Sequence, residues 1–167
     1  MRTLLALPLL LATFPVQAQE TGIMMFVYKA TYAPPRTRAE VEKLMLNHAM
    51  KEERPGIFTA TILTTDGATT EARFLETGHS DDPIGPTLIL DFSGECVPRD
   101  TILPSFAGLM RVEGYEDLGV EVWGAPTDWG GYSFVFDGTS QHCLTTFSTA
   151  IYAQPLAAPV TPPSRTN

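Results

Sequence analysis

The residues best suited to acid-base or metal chemistry lie in one short polar segment, 77–82. It contains His79, Asp81 and Asp82, and an imidazole beside two carboxylates offers ligands for a divalent metal and groups that transfer protons. The spacing matches neither the paired-histidine helix of zinc proteases nor the alternating carboxylates of a calcium loop. We interpret the segment as a solvated turn and expect no metal site and no cofactor; the alternative is a small metal-dependent hydrolase that uses these three residues.

The two cysteines, Cys96 and Cys143, predict a disulfide bond rather than a catalytic thiol. A bridge across a loop of this size would stabilise an exported domain by about 4 kcal/mol on the chain-entropy model. His142 precedes Cys143, but adjacent residues on a strand point to opposite faces, and a bridged cysteine has no thiolate to activate. His48 is predicted on the apolar face of a helix, where a packing role is the simpler interpretation. The sequence therefore offers no nucleophile with a matching base.

Residues 1–18 have the pattern of a secretory signal peptide. Arg2 precedes an apolar run from Leu4 to Leu11, and Val16-Gln17-Ala18 provides small residues for cleavage. No later stretch approaches the roughly 20 apolar residues of a membrane span. We expect an exported protein, either periplasmic or extracellular, that does not cross a membrane.

The net charge of the chain is −8, and the negative charge is concentrated in its second half. Between residues 66 and 137, acidic residues greatly outnumber the three basic ones, Arg73, Arg99 and Arg111. A surface that binds phosphates needs clustered lysine and arginine side chains, so this distribution argues against nucleic-acid binding. The acidic half permits a cationic partner or a divalent ion, but an acidic surface that keeps the protein soluble is the plainer interpretation.

The elements that would position these residues are mostly strands. Residues 86–92 form a nearly continuous apolar run, which predicts a central strand covered on both faces. Residues 57–76 alternate around an Asp-Gly turn and predict a β-hairpin. The apolar run 23–28 predicts a first strand. Residues 37–40 form a capping box, which predicts the main helix over about 38–50.

Further strands are predicted at 119–123, 132–136 and 143–152, with a turn-rich loop at 124–131 between the first two. The order predicts an α+β domain with a largely antiparallel sheet, one main helix packed on it and one disulfide. A β-sandwich with one helix is the alternative. We expect one globular domain over 19–153 and a disordered proline-rich tail over 154–167.

Three aromatic residues, Trp123, Trp129 and Tyr132, lie in or beside the glycine-rich segment 124–131. Flat exposed rings on such a loop give a large contact area at a small entropic cost, as binding sites require. The alternative is that they cap the hydrophobic core. From these features we predict a non-enzymatic exported protein that recognises another extracytoplasmic protein, as an inhibitor would, or a glycan.

Overall fold

The structure is a computed structural model and describes residues 22–63, 67–76, 84–94, 96–139 and 141–152. The His79, Asp81 and Asp82 segment, the predicted signal peptide and the predicted tail lie outside the described residues. The helices are α1 (Ile23–Tyr32), α2 (Arg38–Leu44) and α3 (Arg99–Ile102), with 3₁₀ turns at Leu103–Ser105 and Glu116–Leu118. The strands are β1 (Lys51–Arg54), β2 (Ile57–Leu63), β3 (Thr69–Leu75), β4 (Ile84–Ser93), β5 (Met110–Val112), β6 (Val120–Thr127), β7 (Gly130–Asp137) and β8 (Leu144–Tyr152).

The strands form one eight-stranded sheet in the order β1-β2-β3-β4-β8-β7-β6-β5, and every pair is antiparallel. The predicted α+β class is confirmed, and the β-sandwich alternative is wrong because the strands form a single sheet. The predicted hairpin is confirmed as β2 and β3, and the predicted central strand as β4. None of the helices in the described ranges is long and apolar enough to cross a bilayer.

The hydrophobic core lies between one face of the sheet and the helices. Inward residues of neighbouring strands face one another across the sheet, as in the row Phe74, Leu88 and Thr149. Helices α1, α2 and α3 contribute further buried apolar side chains to the same cluster. On β4, Leu88 and Leu90 are buried, whereas Ile89 on the opposite face is only half-buried. The expectation that both faces of β4 are covered is therefore wrong.

The segment predicted as a first strand is α1, the longest helix among the described residues, so that prediction is wrong. Its fully buried residues Ile23, Phe26, Val27 and Ala30 follow the i, i+3, i+4, i+7 spacing of a helix. A continuous apolar run of six residues hides this period. The extension of the pattern to Ala30 shows that the helix buries one face against the sheet.

The helix predicted over about 38–50 begins where expected but ends at Leu44. Its capping box is present, because Thr37 Oγ1 accepts from the Glu40 N–H and Glu40 accepts from the Thr37 N–H. Leu46 and Asn47 then adopt positive φ angles of 56° and 64°, which end the helix and turn the chain. His48 consequently lies outside the helix and is exposed, so its predicted place on an apolar helix face is wrong.

Candidate functional site

The predicted disulfide between Cys96 and Cys143 is present, with 5.0 Å between the two Cα atoms. It joins the chain after β4 to the start of β8, next to the isolated bridge of Pro98 with Cys143. Asp137 accepts from the Cys143 N–H at 2.8 Å and holds the turn after β7 against the bridge. This covalent link is consistent with an oxidising, exported compartment.

A polar cluster around Glu121 lies close to the disulfide. The Glu121 carboxylate accepts from Arg99 Nη1 and from Trp123 Nε1, both at 2.8 Å. Arg111 Nε lies 3.8 Å from its Oε1 and His142 Nδ1 lies 3.6 Å from its Oε2. The Glu121 side chain is only 11% exposed, so the carboxylate has little contact with water.

The partners of Glu121 determine its ionisation. Burial acts to raise the pKa of Glu121, but the hydrogen bonds from Trp123 and Arg99, with the charges of Arg99 and Arg111, hold the pKa below its ordinary value. A carboxylate with two short hydrogen bonds is stabilised as a charged acceptor. We conclude that the cluster fastens α3 and the disulfide region to β6, rather than supplying a catalytic acid. The described residues contain no group of three His, Cys, Asp or Glu side chains placed to hold a metal ion.

Sequence reasoning missed this cluster, although a signal was present. Glu121 and Trp123 are two residues apart on one strand and therefore share a face. That face is the helix-covered side of the sheet, because Trp123 pairs with the fully buried Phe134. An acidic residue on the covered face of a strand indicates a buried ion pair.

The three aromatic residues predicted to bind a partner have different surroundings in the structure. The Trp123 side chain is half-buried and donates its hydrogen bond to Glu121. Tyr132 is buried against Phe106 and Phe134, and its hydroxyl donates to the Ala107 carbonyl at 3.3 Å. These two residues stabilise the core, and of the three only Trp129 lines the aromatic groove between the helices and the end of the sheet.

The predicted loop 124–131 consists mainly of strand residues, which corrects that expectation. Strand β6 continues to Thr127 and strand β7 begins at Gly130, so the turn contains only Asp128 and Trp129. Gly130 has φ 152°, and a Cβ atom there would collide with the Ala150 backbone of β8. Tyr152 N–H donates to the Trp129 carbonyl at 3.1 Å. Close packing against β8 therefore holds Trp129 in place at the end of the sheet.

Trp129 faces the ends of α1 and α2 across a groove of about 780 Å³, called here the α1–α2 groove. Its wall is mostly apolar and aromatic. It is lined by Tyr28, Lys29, Tyr32, Ala33, Pro34, Pro35, Arg36, Glu40, Lys43, Leu44 and Trp129. Aromatic residues line the groove on both sides, so that one peptide or ligand could contact both sides at once.

Two tyrosines form the helical side of this groove. Tyr28 and Tyr32 are four residues apart on α1 and stack with their ring centroids 6.4 Å apart. Tyr28 also stacks on the buried Phe106 at 5.2 Å, which anchors the pair to the core. Tyr32 is 78% exposed. The groove thus presents a rigid inner ring and an exposed outer ring to solvent.

The charges at the groove are mainly positive. Lys29, Arg36 and Lys43 lie there with a single carboxylate, Glu40. Glu40 Oε2 accepts from the backbone N–H groups of Arg36 and Thr37, at 2.6 and 3.2 Å. That carboxylate is therefore used by the start of α2, and the cations keep their charge facing solvent.

A second concavity, of about 670 Å³, lies on the open face of the sheet between β5 and β8. Its floor is made largely of small residues: Gly124, Gly131, Ser133, Ser148 and Ala150. Its cation, Arg111, lies within 4 Å of Glu116 and Glu121. Tyr132 and Tyr152 also line this surface, but its one cation is paired, unlike the cations of the α1–α2 groove.

Comparison of the chain with protein-family models, with curated proteins and with solved structures gave no match.

Proposed function

We propose that this is an exported binding protein that holds an extended segment of another extracytoplasmic protein in the α1–α2 groove. The observation that carries the proposal is the pair of aromatic walls, Tyr28 and Tyr32 on one side and Trp129 on the other. Tyrosine and tryptophan side chains supply most of the binding energy at protein interfaces, because they bury large areas with few rotatable bonds. Tyr32 is exposed, whereas Tyr28 and Trp129 are half-buried and pack against the core. An apolar surface patch rimmed by polar residues marks an interaction site.

A protein segment fits the groove better than a glycan does. Sugar hydroxyls need hydrogen-bond acceptors as well as donors around an aromatic platform, and here the single carboxylate, Glu40, already accepts two backbone hydrogen bonds. Pro34 and Pro35 add further apolar surface beside Tyr32. Apolar and proline-containing segments bind aromatic-lined grooves of this kind.

The rigidity of the groove supports the same proposal. Tyr28 is held by Phe106, and the turn that carries Trp129 is held by β8 through the Tyr152 hydrogen bond. A preformed site loses little conformational entropy when it binds.

Site-specific photo-crosslinking tests this function. Tyr32 is replaced by a photoreactive phenylalanine analogue in the exported protein, and crosslinked partners are identified by mass spectrometry. Tyr115, which is also an exposed aromatic residue but lies outside the groove, is replaced in the same way as a matched control. We expect a discrete adduct from position 32 that is absent at position 115 and disappears when Trp129→Ala is added. Adducts of equal yield at both positions would contradict the proposal.

A further inference from the structure

We infer that the segment bound in the α1–α2 groove is acidic. This inference rests on the proposed function and names the chemistry of the partner. It depends on the clustering of three unpaired cations, Lys29, Arg36 and Lys43, around the apolar groove.

The arginines outside the groove are largely paired within the chain. Arg38 lies 2.8 Å from Glu42, Arg99 lies 2.8 Å from Glu121, and Arg73 lies 3.8 Å from Asp91. Arg111 lies 3.5 Å from Glu116. Lys51 and Arg54 on β1, like the groove cations, have no carboxylate within 4 Å among the described residues.

The groove cations are distinguished by lying together around an apolar surface. Across the described ranges, no carboxylate lies within 4 Å of the side-chain nitrogens of Lys29, Arg36 or Lys43. Three cations beside one carboxylate give the groove a local charge of +2 on an acidic protein. Unpaired charges around an apolar surface determine which partner is recognised, because a partner of the same sign is repelled.

The chain's own tail does not fit this charge. Residues 153–167 consist mostly of proline and small or apolar residues, and they include no aspartate or glutamate. Their one charged side chain, Arg165, has the same sign as the groove. An acidic segment of a separate protein is therefore the occupant that the charges favour.

Binding of three synthetic peptides by the full exported chain tests the inference. The peptides have the same length and the same proline, phenylalanine and leucine positions, and the remaining positions are all Glu, all Gln or all Lys. Affinity is measured by fluorescence anisotropy. We expect the Glu peptide to bind about tenfold more tightly than the Gln peptide, and the Lys peptide to bind most weakly.

Charge reversal at the groove should change this order. In Lys29→Glu/Lys43→Glu, the Glu peptide should lose about tenfold or more in affinity, and the Lys peptide should gain. The matched control is Lys51→Glu/Arg54→Glu, which changes the charge equally on the exposed edge strand β1, away from the groove. The control should leave the preference for the Glu peptide intact. Equal loss in both double variants would overturn the inference, because the effect would then come from net charge.

The outcomes separate this inference from the proposed function. If the Glu and Gln peptides bind equally and both are lost in Trp129→Ala, the groove still binds a segment but the acidic preference is wrong. If the Glu peptide binds and Trp129→Ala has no effect, the groove is not the site and both proposals are wrong. Binding to vesicles that contain phosphatidylglycerol, without binding to any peptide, would also overturn the inference, since the partner would be an anionic lipid surface.

Discussion

Replacement of Glu121 by glutamine tests the polar cluster beside the disulfide. The carboxylate accepts hydrogen bonds from Arg99 and Trp123 at 2.8 Å, and its side chain is almost fully buried. Hydrogen bonds to a charged group contribute about 1.5–3 kcal/mol. Glutamine can keep one of the two acceptors, but its amide N–H₂ then faces the other donor. We expect Glu121→Gln to lower the free energy of unfolding by about 2–3 kcal/mol at pH 7.

The same change should alter the pH dependence of stability. The pKa of Glu121 is lowered in the folded state. The contribution of Glu121 to the free energy of unfolding is therefore fully present above its pKa in the unfolded chain, about 4.5. The contribution is lost as the pH falls through the lower, folded pKa. The difference in the free energy of unfolding between wild type and Glu121→Gln should therefore become smaller below pH 4.5.

Urea denaturation followed by circular dichroism measures both effects. Glu113→Gln is the control, because Glu113 is exposed and forms none of the ion pairs among the described residues. The free energy of unfolding of Glu113→Gln should remain within about 0.5 kcal/mol of the wild-type value. The account of the cluster is wrong if Glu121→Gln also remains within that range, or if its full destabilisation persists at about pH 3, well below the unfolded pKa.

Three further changes have expected outcomes. Cys96→Ala/Cys143→Ala should lower the free energy of unfolding by about 4 kcal/mol by urea titration, since the loop between the cysteines is no longer closed, and unchanged stability would contradict this. Thr37→Ala removes the cap of α2 and should cost about 1 kcal/mol, whereas Thr37→Ser should cost far less; equal losses would exclude capping as the cause. Gly130→Ala should destabilise the fold by more than about 2 kcal/mol, because the new Cβ meets the β8 backbone, and a thermal melt like that of wild type would refute this.

The parts of the fold that could be predicted from the sequence are those set by neighbouring residues. The capping box at 37–40 marks the start of α2, and alternation marks the β2–β3 hairpin, because both signals act over a few positions. The end of α2 depends on distant contacts. Arg38 donates to the Met50 carbonyl and Glu42 accepts from the Met50 N–H, which turns the chain back after Leu44. Pairings of this kind leave no periodic signal in the sequence.

The candidate site was only half predictable for a related reason. Trp129 can be selected from its turn-rich surroundings, but Tyr28 and Tyr32 cannot, because the apolar run 23–28 predicts a strand. On a strand, residues four apart are separated by about 13 Å and cannot stack. On α1, the same spacing brings the two rings together at 6.4 Å. Because residues 23–28 are assigned the period of a strand rather than that of a helix, the side of the groove formed by Tyr28 and Tyr32 cannot be predicted.

The opposed charges of the groove and of the whole chain lead to a last prediction, on ionic strength. The net charge is −8 and the groove contributes +2, so the rest of the chain carries about −10. In water, a peptide carboxylate about 5 Å from the groove cations gains roughly 1.7 kcal/mol, and ten opposing charges about 25 Å away cost roughly as much without screening. At about 0.15 M salt the screening length is about 8 Å, which removes nearly all of the distant repulsion but only about half of the local attraction. Affinity for the Glu peptide should therefore be highest near physiological salt and fall both at about 0.01 M and at about 1 M. A steady rise in affinity as the salt concentration is lowered over this whole range would contradict this prediction. It would show that the negative charge of the rest of the protein does not weaken binding at the groove.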